Sequence, residues 1–321
     1  MLRYLSIISP SSLNMKTTRF ALALLALATC PAFAEYPEVL YDGGTYNQFV
    51  AYDESTPVNF TIAADSTKIV GKDENTNVTI TGIAKDDAFI EQSGASEVVF
   101  VRGNFTNTGT IEAMQIGIST SRSYGWNPET VISGTTKFVN KGTIKTIPDD
   151  IGYRVLSIEG GATFINEGSV TAHTSVMGGS TLIAEEGSVF NYRVDVGNSV
   201  NTGTLQVNGA ITMNGELWGT SGDIIIMEGG SIDMKGNDVT LTGVNLVYMV
   251  EGNVSELTPI NTSDLFINAA IDDSTSITVK GTEGGSYTTT MGQLVVPEPT
   301  TATLSLLALC GLAMRRRRAA H

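Results

Sequence analysis

The sequence predicts an all-β fold, a right-handed parallel β-helix in which short strands form a solenoid of stacked coils. Three observations support it. Short runs of alternating apolar and polar residues recur along the chain. A unit built around Asn-x-Gly occurs several times. Helical signals are nearly missing between residues 36 and 296. Because the repeat spacing is irregular, a β-sandwich with glycine-rich hairpins stays open as the alternative.

The repeated unit has the form apolar or small, x, Asn, x, Gly, Thr or Ser, then an aliphatic residue. It occurs as FTNTGTI (105–111), FVNKGTI (138–144), FINEGSV (164–170) and SVNTGTL (199–205). A shortened form, Gly-Ser-aliphatic, occurs at residues 187–189 and 230–232. Internal repeats of this size without a helical period are typical of solenoids.

The unit has a physical interpretation as a corner between two strands. Asn and Gly tolerate positive φ, so Asn-x-Gly can turn the chain sharply, while the flanking β-branched residues favour strands. In FVNKGTI we expect Phe138 and Ile144 to face inward, and Lys141 and Thr143 to face solvent. Stacked corners would bury an apolar column and align the asparagines in a hydrogen-bonded ladder. The units resemble the repeats of autotransporter passengers and surface adhesins.

The charge of the chain is uneven and argues against a nucleic-acid partner. The 321 residues include 19 basic and 33 acidic side chains. Three basic residues lie within positions 1–34, and four arginines and one glutamate lie within positions 297–321, which leaves 12 basic and 32 acidic side chains between them. A body near −20 repels nucleic acid and anionic lipid headgroups.

The N-terminal segment, residues 1–34, has the pattern of a secretory signal peptide. Lys16 and Arg19 precede an apolar run over residues 20–29, and Ala32 and Ala34 provide the small-x-small cleavage site. We expect the Sec translocon to read this segment as a signal helix that is then cleaved, whether the chain begins at Met1 or at Met15.

The C-terminal segment, residues 297–321, carries the most specific motif of the chain. Pro297, Glu298 and Pro299 precede an uncharged run, 300–314, and the cluster Arg315, Arg316, Arg317 and Arg318. As a helix the apolar run would span about 22 Å, and the arginines would hold its end in the cytoplasm. The order and terminal position resemble the PEP-CTERM sorting signal. That resemblance implies a transmembrane helix, and recognition and processing near the Pro-Glu-Pro by an exosortase, which is a membrane enzyme.

These segments give the expected domain organisation. It comprises a signal peptide (1–34), a β-helix body (35–281) with candidate caps at 35–65 and 241–281, a flexible stalk (282–296) and the sorting signal (297–321).

Candidate catalytic residues are few. Paired acids occur at Asp86 and Asp87, Asp149 and Asp150, Glu185 and Glu186, and Asp272 and Asp273. Adjacent residues of a strand point to opposite faces, so such pairs do not make a facing carboxylate pair, and each lies beside turn residues where charge is solvated. His173 is the one histidine of the body, and the body has no cysteine. We therefore expect no catalytic residue, metal site or cofactor, and a protein that is not an enzyme.

One binding site is predicted, at the aromatic loop that holds Tyr124 and Trp126. These rings would stack on a sugar, or Trp126 would instead fill the edge of a coil.

Together these features predict an exported, envelope-anchored structural or adhesive surface protein. It would be tethered to the inner membrane of a bacterial cell during sorting and then reside in the envelope, on the surface or in the extracellular matrix. Its expected partners are the Sec translocon, an exosortase-like enzyme, and extracellular polysaccharide or neighbouring cells. The alternative is a carbohydrate-active β-helix enzyme or a lectin that acts on extracellular polysaccharide.

Overall fold

The fold is taken from a computed structural model of the chain. It describes residues 38–41, 44–46, 50–53, 56–59, 67–71, 74–81, 83–85, 97–113, 115–124, 127–146, 155–255 and 264–291. All of these belong to one compact unit, Glu38–His321.

Nearly all regular structure in the described residues is β-strand, and most strands belong to three long sheets. Sheet 1 has nine strands, in the order β1 (Glu38–Tyr41), β5 (Thr67–Gly71), β8 (Glu97–Val101), β11 (Gln115–Ser119), β16 (Val155–Glu159), β19 (His173–Val176), β22 (Val194–Val196), β25 (Leu217–Gly219) and β28 (Val239–Leu241).

Sheet 2 has eleven strands and follows sheet 1 along each coil. Its order is β2 (Gly44–Tyr46), β6 (Asn77–Ile80), β9 (Gly103–Asn107), β14 (Thr136–Asn140), β17 (Thr163–Asn166), β20 (Ser180–Ala184), β23 (Gly203–Val207), β26 (Gly222–Met227), β29 (Val244–Val250), β31 (Ser276–Gly281) and β32 (Ser286–Thr290).

Sheet 3 has eight strands and completes each coil. Its order is β7 (Ile83–Lys85), β10 (Thr110–Ala113), β15 (Thr143–Thr146), β18 (Ser169–Thr171), β21 (Val189–Phe190), β24 (Ala210–Met213), β27 (Ser231–Asp233) and β30 (Phe266–Ile267). Two further hairpins, β3 (Val50–Asp53) with β4 (Thr56–Asn59) and β12 (Ser121–Tyr124) with β13 (Asn127–Ser133), are antiparallel.

The pairing confirms a β-helix-like parallel solenoid. From β5 to β30, each coil gives one strand to each sheet, and a strand pairs in parallel with the corresponding strand of the next coil. In sheet 1, Val155 pairs with His173, Thr174 with Val194, and Val194 with Leu217, so the coils lengthen slightly along this part of the chain. A β-sandwich would instead rest on antiparallel pairs, which among the described strands are confined to the two hairpins and to the pairing of β31 with β32.

The core lies inside the coils because alternate residues of each strand point inward. The burial of β9, β20 and β23 alternates accordingly, residue by residue. Phe105, Phe138 and Phe164 occupy the same position of three successive coils, with ring centroids 6.3 Å and 5.8 Å apart. Phe138 and Ile144 are fully buried, while Lys141 is exposed and Thr143 is half-buried, as the sequence predicts.

The predicted asparagine ladder is confirmed at the corner between sheets 2 and 3. Asn107, Asn140 and Asn166 are fully buried and in register. The Nδ2 of Asn107 donates to the Oδ1 of Asn140, and the Nδ2 of Asn140 donates to the Oδ1 of Asn166, each at 2.8 Å. The ladder ends there because Ala184 takes the same position in the next coil.

The expected reason for the glycines of this unit is wrong. None of Gly109, Gly142 and Gly168 has a positive φ. Glycine is required instead because the coils approach closely: a Cβ on Gly142 would lie 2.0 Å from the carbonyl oxygen of Gly109, and one on Gly168 would lie 2.2 Å from that of Gly142.

The fourth copy of the unit does not extend the ladder. Its Gly203 opens β23, so the turn lies between sheets 1 and 2, and its Asn201 is exposed. The motif therefore marks a turn but not a particular corner of the coil.

The C-terminal described residues form a hairpin on the last strand of the stack. β31 pairs in parallel with β29, and β32 folds back on β31 in antiparallel register. Within the segment 282–296, where the sequence suggests a flexible stalk, residues Ser286–Thr290 are thus a paired strand. Residues 292–296 lie outside the described residues.

Candidate functional site

Four side chains from three successive coils converge on the outward face of sheet 1. They are His173 at the start of β19, Arg193 and Asp195 at β22, and Trp218 in β25. The inward positions beside them, Thr174, Val194, Val196 and Leu217, are fully buried. We call these four outward residues the sheet-1 cluster. The register places Asp195 directly beside Trp218, because β22 and β25 are neighbours in the sheet.

Asp195 is the centre of the cluster. The Nε2 of His173 donates to its Oδ2 at 2.8 Å, and the Nε of Arg193 donates to its Oδ1. Partial burial by itself raises the pKa of Asp195, but the hydrogen bonds and charges of His173 and Arg193 outweigh it, so that the pKa lies below the ordinary value of 3.8. Asp195 is thus an ionised carboxylate with both oxygens engaged.

Arg193 joins this ion pair to the tryptophan. Its Cζ lies 3.7 Å from the centroid of the Trp218 ring, which places the guanidinium over one face of the indole. Arginine stacks well on aromatic rings because its guanidinium is planar and weakly hydrated. The Trp218 ring is therefore held by a chain of contacts that runs through Arg193 and Asp195 to His173.

This arrangement is suited to orienting an aromatic surface. Since both oxygens of Asp195 already accept hydrogen bonds, the carboxylate is not poised to take a proton from a substrate. Trp218 is 36% exposed and its ring is fixed from one side. The cluster thus presents a partly exposed indole, with the Arg193 guanidinium over its ring, on a polar face of the sheet.

The acid pairs singled out in the sequence do not converge in the described residues. Glu185 accepts a hydrogen bond from the Nδ2 of Asn208 at 2.8 Å, and Glu186 is exposed in the following turn. Asp272 is exposed and accepts from the backbone N–H of Ser274 at 2.8 Å, which lowers its pKa. Across the described ranges, no group of three or more His, Cys, Asp and Glu side chains could hold a metal ion.

Several predicted features lie outside the described residues. They are Asp86, Asp87, Asp149, Asp150, Trp126, the cleavage-site residues Ala32 and Ala34, and the sorting-signal residues from Pro297 to Arg318. Tyr124 is the last residue of β12, next to that gap. Within the part of the chain that the structure describes, no helix is long and apolar enough to cross a membrane.

Sequence reasoning missed Arg193, Asp195 and Trp218, and considered His173 only in isolation. The usable signal is the alternation of buried positions, which sets the register between successive coils. Ser175 pairs with Asp195 in the sheet, and Asp195 pairs with Trp218, so the three residues share one row. Aligning the coils on their buried positions would have placed these residues side by side.

Comparisons of the chain with protein-family models, with curated proteins and with solved structures give no match. The resemblance to PEP-CTERM sorting signals therefore depends on the tail residues alone, and the assignment of the body depends on its parallel sheets.

Proposed function

We propose that this chain is an exported, envelope-anchored structural or adhesive protein of a bacterial surface. Its N-terminal segment directs export through the Sec translocon, and its PEP-CTERM-like tail holds it in the inner membrane for processing by an exosortase-type enzyme. The mature body, a right-handed β-helix, then serves in the envelope, at the surface or in the extracellular matrix.

The observation that carries the proposal is the continuity of the body. Three parallel sheets run from coil to coil, and the phenylalanine and asparagine columns each link three successive coils. Each coil is supported by its neighbours, as in other solenoids, which suits a rigid scaffold that presents its side faces. A body charge near −20 supports solubility in an aqueous exterior.

The route is tested by following the full-length chain in an exosortase-containing host. The variants are the wild type, a deletion of residues 297–321, a variant with Pro297 and Pro299 changed to Ala, and a control with Thr300 changed to Ala. We expect the wild type and the control in the envelope fraction. The deletion should appear in the medium, and the double proline variant should stay uncleaved in the inner membrane.

An unchanged envelope location of the deletion variant would contradict the tether. Identical C-termini of the wild-type and double proline proteins, measured by mass spectrometry, would contradict processing at the Pro-Glu-Pro. Neither result depends on what the body binds.

A second candidate function is a lectin or carbohydrate-active β-helix enzyme. The observation that favours it is the sheet-1 cluster, where a half-exposed indole lies beside an ion pair. Because the Asp195 oxygens are both engaged, this geometry favours binding over cleavage. Release of reducing ends from a neutral polysaccharide, lost on Asp195→Asn, would instead establish the enzyme.

A further inference from the structure

The packing of the coil does not require a tryptophan at position 218. Trp218 lies on the outward side of β25, whose inward residues Leu217 and Gly219 are buried. The side chain remains 36% exposed, on the side of the strand opposite the buried core. A large aromatic ring left in water at a strand position is a common element of binding surfaces.

The ring is also ordered in advance. Arg193 covers one face at 3.7 Å, and Asp195 holds Arg193 while it is itself held by His173. Rigid aromatic groups bind with little loss of side-chain entropy. The contact joins side chains of neighbouring coils, because Arg193 lies directly before β22 and Trp218 lies in β25.

The surroundings of the ring are polar on both sides. Ser175 lies beside Asp195 in the row, and Thr240 lies beside Trp218 on the next coil. Within the described residues the hydroxyls of Ser175 and Thr240 and the carboxylate of Glu216 have no hydrogen-bond partner. A ligand over the indole would therefore meet one apolar surface rimmed by hydroxyl and carboxylate groups.

The charge around the ring favours a ligand without negative charge. Arg193 and Asp195 neutralise each other, while Glu216 and Asp238 lie just before β25 and β28, at the same end of these two neighbouring strands. The body as a whole is near −20. A polyanion would be repelled both locally and at long range.

From these observations we infer that Trp218 is the stacking platform of a binding site for neutral polysaccharide. A pyranose ring has an apolar face of C–H groups and a rim of hydroxyls, which matches an indole surrounded by hydrogen-bonding groups. Successive sugars would lie along the row of Ser175, Asp195, Trp218 and Thr240, with Arg193 and His173 acting as positioning residues. This inference rests on the proposed surface function, for which it names a ligand class and a site.

The test uses the purified full-length chain and native gels that contain hydroxyethyl cellulose, laminarin or dextran as neutral probes, with alginate as an anionic probe. We expect at least one neutral probe to retard the wild type, and alginate to retard it less. Trp218→Ala should weaken binding about 10-fold or more, as expected for truncation of a central aromatic anchor. Trp218→Phe should retain most of it, and Trp126→Ala should bind as the wild type does.

Fluorescence gives a second readout, because the chain has only two tryptophans. In a Trp126→Phe background Trp218 is the sole indole, and its emission should shift to the blue on addition of the retarding probe. Circular dichroism checks that each variant is folded.

The inference is overturned if no neutral probe retards the wild type, if alginate is preferred, or if Trp126→Ala rather than Trp218→Ala abolishes binding. An emission spectrum that the probe leaves unchanged would overturn it as well. Fractionation of cells that carry Trp218→Ala keeps the two proposals apart. If Trp218→Ala reaches the envelope but no longer binds polysaccharide, the surface function is left intact. If the wild-type chain never reaches the envelope, the surface function is refuted even if the chain binds polysaccharide.

Discussion

The buried asparagine ladder should be a large local source of stability, and Asn140→Ala tests this at its centre. The Asn140 side chain takes part in three hydrogen bonds: it accepts from Asn107, and it donates to Asn166 and to the carbonyl oxygen of Ser169 at 3.2 Å. Alanine removes all three and leaves a small cavity in a fully buried position.

The expected loss is about 3 kcal/mol of unfolding free energy, at about 1 kcal/mol for each hydrogen bond. It should not be much larger, because the neighbouring amides keep other partners. Asn107 still donates to the carbonyl oxygens of Gly109 and Thr143, and Asn166 still accepts from the backbone N–H of Gly168.

Asn104→Ala is the matched control. Asn104 lies on the same strand as Asn107, but its side chain is partly exposed and donates a single hydrogen bond, to the carbonyl oxygen of Glu74 at 3.1 Å. We expect it to lose less than about 1 kcal/mol.

Asn140→Asp adds a second, pH-dependent comparison. It keeps the shape but places a carboxylate oxygen against two acceptors, the Oδ1 of Asn166 and the Ser169 carbonyl. Burial and these acceptors raise the pKa of such a carboxyl. Relative to the wild type, the variant should be less stable than Asn140→Ala at neutral pH and recover as the pH falls through that raised pKa.

The assay is urea unfolding followed by circular dichroism, together with hydrogen exchange of the amides of β14 and β17. The second readout is needed because long repeat arrays can unfold in more than one step. If Asn140→Ala and Asn104→Ala lose the same stability, the ladder is not a principal source of stability and the reasoning is refuted.

Three further predictions concern packing and acid stability. Gly142→Ala should lower the free energy of unfolding by more than about 3 kcal/mol, above the usual range for overpacking, because its Cβ would meet backbone atoms. Gly161→Ala, with open space around the position but a φ of +84°, should lower it by about 1–2 kcal/mol. Equal losses in urea unfolding would contradict this difference. Ser188→Ala should leave the free energy of unfolding unchanged or raise it by up to about 1 kcal/mol, since this buried hydroxyl has no partner among the described residues. Ser180→Ala should lower it, because the Oγ of Ser180 accepts from two backbone N–H groups. The reverse order would refute these hydrogen-bonding roles. Asp195 has a pKa below 3.8 in the folded state, so its contribution to the free energy of unfolding is present above the unfolded pKa and is lost as the pH falls through the folded pKa. Below about pH 4, the free energy of unfolding of Asp195→Asn should therefore fall less steeply with decreasing pH than that of the wild type. An unchanged slope would contradict this prediction.

Much of the fold was predictable because the same residue patterns recur from coil to coil. Alternation of apolar and polar residues specifies which side of a strand is buried, so the inward Phe138 and Ile144 follow from the pattern alone. The ladder follows from a repeated Asn at a repeated corner, since side chains at equal positions of parallel coils must lie side by side.

Other features depend on tertiary distances that a local pattern does not contain. Asn-x-Gly indicates a turn, but whether its glycine serves a positive φ or the approach of a neighbouring coil depends on the stacking, and Gly142 serves the second purpose. The fourth unit, around Gly203, has the same sequence pattern but lies at a different corner, between β22 and β23, so the pattern alone does not specify the corner.

The candidate site was less predictable than the fold for the same reason. Asp195 and Trp218 become neighbours only when their coils are in register, and the unequal lengths of successive coils prevent simple counting. Local composition instead drew attention to Trp126 in its loop.

The most direct test of the stacked parallel coils is a distance measurement between spin labels on one outward row of sheet 2. Lys137, Asp223 and Asn245 share this row, with Asp223 four coils and Asn245 five coils from Lys137. In a background with Cys30 and Cys310 replaced by Ala, cysteine pairs at these positions can be labelled selectively. At about 4.8 Å per strand step, the backbone separations should be about 19 Å and about 24 Å, so the measured label distances should differ by about one strand step. A second distance equal to or shorter than the first would contradict the solenoid.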